Sequence, residues 1–278
     1  MMDDKLVINF TPTGMIPTKK MTPHVPVSVS EIVEDVHKAT ELGITMVHLH
    51  ARDSISGEPT YKKEVYGEII CVSLSGRNIN KLELRADPLF LEGFLKPDYG
   101  SLTLSSLNFN NTASMNSPET VQGLAVIMKE KGIVPELEVF DIGMINYSKY
   151  LEKKGLIEGP YYFNLLLGNI ACAQADILHT GIMIRDLPEN SLYSLAGIGN
   201  QQLKMNSLAI AIGAGVRVGL EDNIWFDSSR TKLATNLELL ERIHTIANAN
   251  GREYMSPKEF RKKMKLEPGN GKYGRLMS

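Results

Sequence analysis

The residues with the clearest chemical potential are two histidines, His48 and His50, which lie two positions apart in segment 45–50 (TMVHLH). If this segment is a β-strand, both rings point to the same face, because side chains alternate along a strand. Two converging imidazoles favour a divalent transition metal. The alternative is that one histidine is buried for structural reasons and the other is solvated.

A second group of charged residues follows an apolar run near the end of the chain, in segment 216–223 (VRVGLEDN). Glu221 could complete a ligand set of two histidines and one carboxylate, which leaves one metal position open for substrate. Asp222 could act as a base, and Arg217 could hold an anion or pair with Asp222. The alternative is a salt bridge that joins the first and last units of the fold, because buried charges are costly unless they are paired.

Three further predicted strands carry polar side chains that alternate along the chain. Ser73 follows the third strand, Ser101 and Thr103 lie in the fourth, and Glu136 and Glu138 share one face of the fifth. Small hydroxyl groups on one face can line a polar pocket, or they can simply fill the interior. The two glutamates indicate either pocket chemistry or a buried partner.

A glycine-containing turn, with Gly197, Gly199, Asn200 and Gln201, precedes a predicted helix. Backbone N–H groups at a helix N-terminus bind anions well, and barrel enzymes often bind phosphate at the loops after strands seven and eight. The turn therefore predicts a site for phosphate or a phosphorylated cofactor. The alternative is a tight turn that only glycine permits.

These residues must be positioned by eight short apolar or β-branched runs that alternate with segments of helical periodicity. The predicted strands are 6–10, 45–50, 70–75, 101–104, 137–140, 161–167, 192–196 and 215–218. Such alternation predicts parallel βαβ units, and eight units over 278 residues fit a closed (β/α)8 TIM barrel better than an open sheet. We therefore predict an α/β fold with a single domain over 1–266 and a flexible tail over 267–278.

The helices are predicted at 30–42, 117–132, 142–154, 171–183, 201–212 and 236–249, with Ser30 and Ser117 as N-caps and Gly43 as a stop. One region conflicts with this plan. The helical pattern after Pro59 runs directly into the third strand, although a few residues are needed to reverse the chain. Either this helix is short or residues are missing between Glu64 and Cys71.

Composition restricts the classes of partner. The net charge of −2 gives no indication of a nucleic-acid or membrane-surface partner. The acidic first residues lack the apolar core of a signal peptide, and no apolar run approaches the roughly 20 residues that span a bilayer. We expect a cytoplasmic protein in which Cys71 and Cys172 are buried reduced thiols.

Seven segments, taken in order, resemble the beta-keto acid cleavage enzyme family, which is typified by the 3-keto-5-aminohexanoate cleavage enzyme. They are 9–14 (NFTPTG), 47–53 (VHLHARD), 73–76 (SLSG), 106–109 (SLNF), 135–141 (PELEVFD), 196–199 (AGIG) and 216–223 (VRVGLEDN). The resemblance extends over about 6–266. It implies a zinc-dependent barrel that acts on a β-keto acid and acetyl-CoA and yields acetoacetate and a new acyl-CoA.

The resemblance also implies roles for individual residues. One zinc ion per chain would be bound by His48, His50 and Glu221, beside a catalytic pair formed by Arg217 and Asp222. The family resemblance further implies a homo-oligomer, either a dimer or a tetramer.

The substrate contacts implied by the resemblance come from several strands. Ser73, as a further catalytic residue, and Ser101 would contact the keto acid, Thr13 and Asn108 would also bind substrate, and Glu136 or Glu138 would lie near its distal end. The phosphates of CoA would use the turn at 197–201.

Ile16 departs from the family pattern, since a glutamate is expected at this position. Recognition of an aminated substrate is therefore not implied.

Two other functions remain open at this stage. A metal-dependent hydrolase of the amidohydrolase type also uses a His-x-His strand, but it needs further histidines after strands five and six, where this chain has none. A non-catalytic barrel that binds a metal or a small ligand is the second alternative, because fold does not fix function. It predicts metal binding without formation of acetoacetate.

Overall fold

The structure, a computed structural model, describes residues 5–52 and 71–267. The suspected gap between Glu64 and Cys71, and all but the first residue of the predicted tail, lie outside the described residues.

Eight parallel strands form a closed barrel with helices between them. The strands of the barrel and of one short hairpin are, in chain order, β1 (Ile8–Phe10), β2 (Met46–Leu49), β3 (Cys71–Val72), β4 (Tyr99–Thr103), β5 (Leu107–Asn108), β6 (Ala113–Ser114), β7 (Val134–Val139), β8 (Tyr161–Leu167), β9 (Ser191–Gly197) and β10 (Gly215–Val218). Their order around the barrel is β1-β10-β9-β8-β7-β4-β3-β2, and β5 pairs with β6 in an antiparallel hairpin. The prediction of a (β/α)8 TIM barrel is confirmed.

The helices that alternate with these strands are mostly one to four turns long. They are α1 (Val29–Leu42), α2 (Leu82–Ala86), α3 (Pro118–Lys131), α4 (Ile142–Lys153), α5 (Ile177–Asp186), α6 (Gln202–Ala211), α7 (Asn236–Ala249) and α8 (Pro257–Lys263). No helix among residues 5–52 and 71–267 combines the length and the apolar character needed to cross a bilayer.

Backbone contacts group the described residues into two compact units. The first contains 5–52 and 194–260, where β1 pairs in parallel with both β2 and β10. The second contains 71–193 and 261–267, where β4 pairs with β3 and β7, and β7 pairs with β8. The single domain over 1–266 stays a prediction.

Local hydrogen bonds fix where the helices begin and end. Ser117 caps α3 as predicted, by accepting the N–H of Thr120, and Gly132 ends this helix in the left-handed conformation. The prediction that Ser30 caps α1 is wrong. Ser28 is the N-cap, because Glu31 stands three residues later and completes a capping box with it.

One other predicted helix start is wrong, and a second differs by one residue from the start observed. The segment 171–183 begins as a loop, and α5 starts only after Asp176, whose carboxylate accepts the N–H of His179. The segment 201–212 is preceded by a 3₁₀ turn at Gly199–Gln201, so α6 begins at Gln202. Before α5 the capping residue Asp176 accepts a backbone N–H, and before α6 there is a tight turn. In each case this feature precedes the apolar periodicity of the helix.

Neither cysteine forms a disulfide bond among the described residues; Cys71 is buried, whereas Cys172 is half-buried rather than buried as predicted. Burial raises the pKa of the Cys172 thiol, although a hydrogen bond from Asn169 acts in the opposite direction.

Candidate active site

Both histidines of the second strand point to one place. His48 lies in β2 and His50 directly follows it, and the side chains of both are buried. Their Nε2 atoms are 3.2 Å apart, so the two rings share a face of the strand as the alternation predicts.

Glu221 reaches the histidines from the loop after β10. Its Oε1 lies 3.0 Å from Nε2 of His50 and 3.9 Å from Nε2 of His48. Its second oxygen, Oε2, is buried and has no hydrogen-bond partner among the described residues. A buried acceptor without a partner is costly, which points to an absent group at this place.

The donor atoms of these three residues fit a metal ion. All of them lie within 4.8 Å of one another. The 3.2 Å between the two ring nitrogens matches the separation of about 3.3 Å expected for two imidazoles on a tetrahedral zinc ion. Two histidines and one carboxylate are a donor set that zinc accepts in catalytic sites, with one position left for substrate.

Arg217 contacts both acidic residues of the loop. Its Nη2 lies 2.8 Å from Oε1 of Glu221, and its Nε lies 3.1 Å from Oδ2 of Asp222. The guanidinium is almost fully buried. Both of these salt bridges lie within segment 217–222, so neither is the salt bridge between the first and last units that the alternative expected.

The two neighbouring carboxyl groups have different acidities. Burial acts to raise the pKa of Glu221, but His50, Arg217 and His48 outweigh it and hold this pKa well below its ordinary value. Burial raises the pKa of Asp222 to about 6, against the opposing effect of Arg217. Glu221 is thus suited to remain an anionic ligand, and Asp222 is suited to exchange a proton near neutral pH.

The loop after β1 packs directly on Glu221. Gly14 has a φ of +66°, and a Cβ at this position would lie 2.5 Å from Cγ of Glu221. The buried Arg52 donates to the carbonyl oxygens of Gly14 and Pro17, at 2.6 and 2.9 Å. Sequence reasoning gave Arg52 no role, although a charged residue just after the histidine strand was a signal that could have found it.

Thr13 and Ile16 lie in the same loop. Oγ1 of Thr13 is buried and has no hydrogen-bond partner among the described residues, so its hydroxyl is free to meet a ligand. The side chain of Ile16 is 49% exposed.

Ser73 and Ser101 are buried in the second unit, Ser73 directly after β3 and Ser101 in the middle of β4. Ser73 is 2% exposed, and Oγ of Ser101 accepts the N–H of Leu74 at 2.9 Å. Sequence reasoning missed Arg85, a buried side chain that donates to the carbonyl oxygens of Leu74 and Met115. Arg85 thereby fixes the backbone just after β3, next to Ser73.

The glutamates of β7 have partners within the second unit. Glu136 is fully buried and accepts hydrogen bonds from Sγ of Cys71 at 3.1 Å and from Nδ2 of Asn164 at 2.8 Å. Glu138 accepts the hydroxyl of Thr103 at 2.7 Å. These contacts agree with one of the two interpretations of the glutamates, namely that each has a buried hydrogen-bond partner.

Asn108 lies beside an open cavity of about 490 Å³ at the C-terminal ends of β4, β7 and β8. Its side chain is exposed, and its backbone oxygen accepts a hydrogen bond from Nδ2 of Asn169. Asn108 is therefore available for contact with a ligand that enters this cavity.

Two N–H groups in the turn at 197–201 donate to backbone carbonyl groups, as does the N–H of Gln202 directly after it. Gly199 donates to the carbonyl oxygen of Asp222 at 2.8 Å, Gln201 donates to Ile198, and Gln202 donates to Gly199. A Cβ on Gly197 would lie 2.2 Å from the carbonyl oxygen of Gln201. These features are those of the tight-turn alternative.

Comparison with known proteins gives a consistent result. The family model described as beta-keto acid cleavage enzyme matches residues 5–266. A 3-keto-5-aminohexanoate cleavage enzyme of Fusobacterium nucleatum is 32% identical over 96% of this chain and 100% of its own length. A 3-oxoadipate:acetyl-CoA acetyltransferase of Cupriavidus necator is 33% identical over 90% and 91% of the two chains.

A further relative is a 3-dehydrocarnitine:acetyl-CoA trimethylamine transferase of Rhizobium meliloti, which is 29% identical over 95% of this chain and 98% of its own. Among solved structures, the apo structure of ObcA superposes with a TM-score of 0.74 at 18% identity. That match covers 88% of this chain and 66% of the ObcA chain. At this identity the structural similarity speaks for the fold alone.

Proposed function

The chain belongs to the beta-keto acid cleavage enzyme family, and from this premise we propose that it uses one zinc ion to exchange acyl groups between a β-keto acid and acetyl-CoA. The products are acetoacetate and a new acyl-CoA. The observation that carries the zinc assignment is the convergence of His48, His50 and Glu221, with an oxygen of Glu221 buried and unpartnered.

The metal ligands and Arg217 have separate proposed roles. His48, His50 and Glu221 would hold the ion, which would supply a Lewis acid for the ketone oxygen of a β-keto acid. Arg217 keeps both neighbouring carboxylates in place through its hydrogen bonds to Glu221 and Asp222.

Asp222 moves the proton. The methylene between the ketone and the carboxylate of a β-keto acid must lose a proton before its carbon attacks the thioester of acetyl-CoA. The carbanion bonds to the thioester carbonyl carbon as CoA thiolate leaves. The thiolate then attacks the original ketone carbon, and the bond from that carbon to the former methylene carbon breaks, which yields the new acyl-CoA and the acetoacetate carbanion. The carboxylate of Asp222, with a pKa of about 6, accepts the first proton and returns it to this carbanion. Arg217, which donates to Oδ2 of Asp222, orients the acceptor oxygen.

The hydroxyl residues are proposed to contact the keto acid. Oγ of Ser101 accepts the N–H of Leu74, so its own O–H can donate to a substrate oxygen. Ser73, Thr13 and Asn108 are assigned to the substrate by the family motifs, and the unpartnered hydroxyl of Thr13 supports its assignment.

The chemical identity of the acyl group that passes from the β-keto acid to CoA is the least constrained part of the proposal. The names of the relatives include amino, carboxylate and trimethylammonium substrates. Ile16 carries no charge that would favour an amine, and Glu136 and Glu138 have partners from their own unit. A CoA contact at 197–201 and a homo-oligomeric state stay predictions.

The test is a screen of β-keto acids with cationic, anionic and neutral side chains, each combined with acetyl-CoA and zinc. We expect acetoacetate and the matching acyl-CoA from at least one of them. The Asp222→Asn variant should bind zinc as the wild type does but form neither product.

Two outcomes contradict the proposal. Zinc binding without acetoacetate from any keto acid supports the non-catalytic binder. Turnover that does not need acetyl-CoA supports a hydrolase.

A further inference from the structure

Two amide side chains of α6 are buried and bond the backbone of segment 217–219. Gln202 and Asn206 stand four positions apart, so they share one face of the helix, and both are almost completely shielded from solvent. Each directs its NH₂ group to backbone outside its own helix. Nε2 of Gln202 donates to the carbonyl oxygen of Gly219 at 2.8 Å, and Nδ2 of Asn206 donates to that of Arg217 at 2.9 Å.

The two carbonyl groups belong to the segment that presents the acidic residues. Arg217 is the residue whose guanidinium bonds Glu221 and Asp222. Gly219 is the point at which the chain leaves β10, with a φ of +155°, and a Cβ there would lie 2.1 Å from the carbonyl oxygen of Thr11. The amides therefore hold this segment on both sides of Val218.

A third tether reaches the same segment from the turn before α6. The N–H of Gly199 donates to the carbonyl oxygen of Asp222 at 2.8 Å. The carbonyl groups at positions 217, 219 and 222 thus each receive a donor from 199–206. Together these donors fix the backbone from the strand end through Asp222.

The amides also carry a cost. Oε1 of Gln202 and Oδ1 of Asn206 are buried and have no hydrogen-bond partner in the part of the chain that the structure describes. An unpartnered buried acceptor is costly, but an apolar side chain would be costly here as well, because the carbonyl group of Gly219 or Arg217 would lose its amide donor. Each amide therefore serves a carbonyl group of 217–219, while its own oxygen is without a partner among the described residues.

We infer that Gln202 and Asn206 are positioning residues, which hold the backbone of 217–222 so that Glu221 faces the metal position and Asp222 faces the substrate. The inference rests on the proposed function, because it assigns these roles to Glu221 and Asp222. Residues that orient metal ligands typically change metal affinity or activity by about 10- to 100-fold when they are replaced.

The test compares Gln202→Met and Asn206→Leu with Met205→Ala, a core variant on the same helix. Zinc affinity is measured by competition with a chromophoric chelator. Hydrogen exchange of the N–H groups of Leu220 and Glu221 is measured on the zinc-free protein. The two amide variants should weaken zinc binding by about 10- to 100-fold and speed exchange at these two positions.

Met205→Ala should lower the Tm while zinc affinity and this exchange stay at the level of the wild type. Wild-type zinc affinity and exchange in both amide variants would overturn the inference. An equal loss of zinc affinity in Met205→Ala would do so as well, because it would reduce the effect to general destabilisation. The exchange measurement needs neither zinc nor turnover, so it decides the inference separately from the substrate screen.

Discussion

At the scale of single residues, one carboxylate oxygen determines the character of the site. Oε1 of Glu221 faces the Nε2 atoms of two histidines and a guanidinium nitrogen of Arg217. The positive charge nearby holds the pKa of Glu221 low, so the carboxylate stays available as a ligand throughout the neutral pH range. Arg217 also bonds Asp222, so the ligand and the proposed base share one anchor.

Removal of one imidazole should remove the metal. We expect His48→Ala to abolish stoichiometric zinc binding, because two remaining donors are too few for a stable catalytic zinc site. The metal content after equilibrium dialysis is the measurement. His179→Ala is the control, since His179 is exposed on α5 and pairs with Asp176, the N-cap of that helix. Full zinc occupancy in the His48→Ala variant would refute the ligand assignment.

Gly14→Ala tests how closely the loop after β1 packs on Glu221. We expect zinc affinity to fall at least about tenfold, because a Cβ 2.5 Å from Cγ of Glu221 must displace that side chain. Gly251→Ala is a matched control, with a φ of +67° and no atom within 4 Å of the added Cβ. It should cost about 1 kcal/mol of stability from backbone strain and keep its zinc. Equal zinc affinity in the two variants would contradict the packing account.

Residues whose role follows from periodicity could be predicted, and residues whose role depends on a distant partner could not. The pairing of His48 with His50 follows from the alternation of one strand. Gly14 and Arg52 gain their roles only when the loop after β1 meets Glu221 and the strand of the histidines, which no local pattern encodes.

At the scale of elements, the start of a helix is set by which side chain can accept the first N–H groups. Two serines lie at the start of α1, Ser28 just before it and Ser30 as its second residue, and only Ser28 has a glutamate three positions later. Ser30 instead lies within the first turn, with its Oγ 3.2 Å from that of Ser28. Ser28 rather than Ser30 is the cap because a capping box needs a spacing of three residues, which Ser28 and Glu31 have.

This difference can be measured in the two serine variants. We expect Ser28→Ala to lower the free energy of unfolding by about 1 kcal/mol, because the capping box is lost. Ser30→Ala should change it by no more than about 0.5 kcal/mol. Chemical denaturation of both variants is the measurement. A larger loss for Ser30→Ala would show that the cap lies at position 30.

The same capping box predicts a dependence of stability on pH. Burial acts to raise the pKa of Glu31, but hydrogen bonds from Lys19, Ser28 and Val27 lower it to about 2 from 4.5. Since this folded-state pKa is depressed, the stability that Glu31 contributes is present above pH 4.5 and is lost as the pH falls toward 2. Glu31→Gln should flatten this part of the stability profile, and an unchanged slope would argue against the contribution.

Elements with strong periodicity and clear end signals were predicted well. The bounds predicted for β8, β10 and α7 agree with those observed. The hairpin of β5 and β6 was missed, because strands of two residues have no period to detect. The start of α5 was placed too early, since the apolar residues of the preceding loop continued the helical pattern.

At the scale of the whole molecule, the barrel itself was predictable because eight alternations of strand and helix leave few other topologies. What no local pattern predicts is which residues belong to each of the two compact units. The three metal ligands, Arg217 and Asp222 belong to the first unit, whereas Ser73, Ser101 and both glutamates of β7 belong to the second. Such a division depends on contact density, which no local sequence pattern reports.

This division gives a prediction for the effect of zinc on stability. A ligand that binds only the folded state stabilises it by about 2.7 kcal/mol at a free concentration 100 times its Kd. All three ligands lie in the first unit. Zinc should therefore slow hydrogen exchange through partial opening most strongly in 5–52 and 194–260, and less in 71–193. Exchange with and without zinc, followed by mass spectrometry, is the measurement, and His50→Ala should show no such protection. A metal stabilises the part of the chain that supplies its ligands. Stronger protection by zinc in 71–193 than in the first unit would therefore place the ion elsewhere. So would protection in the His50→Ala variant equal to that in the wild type.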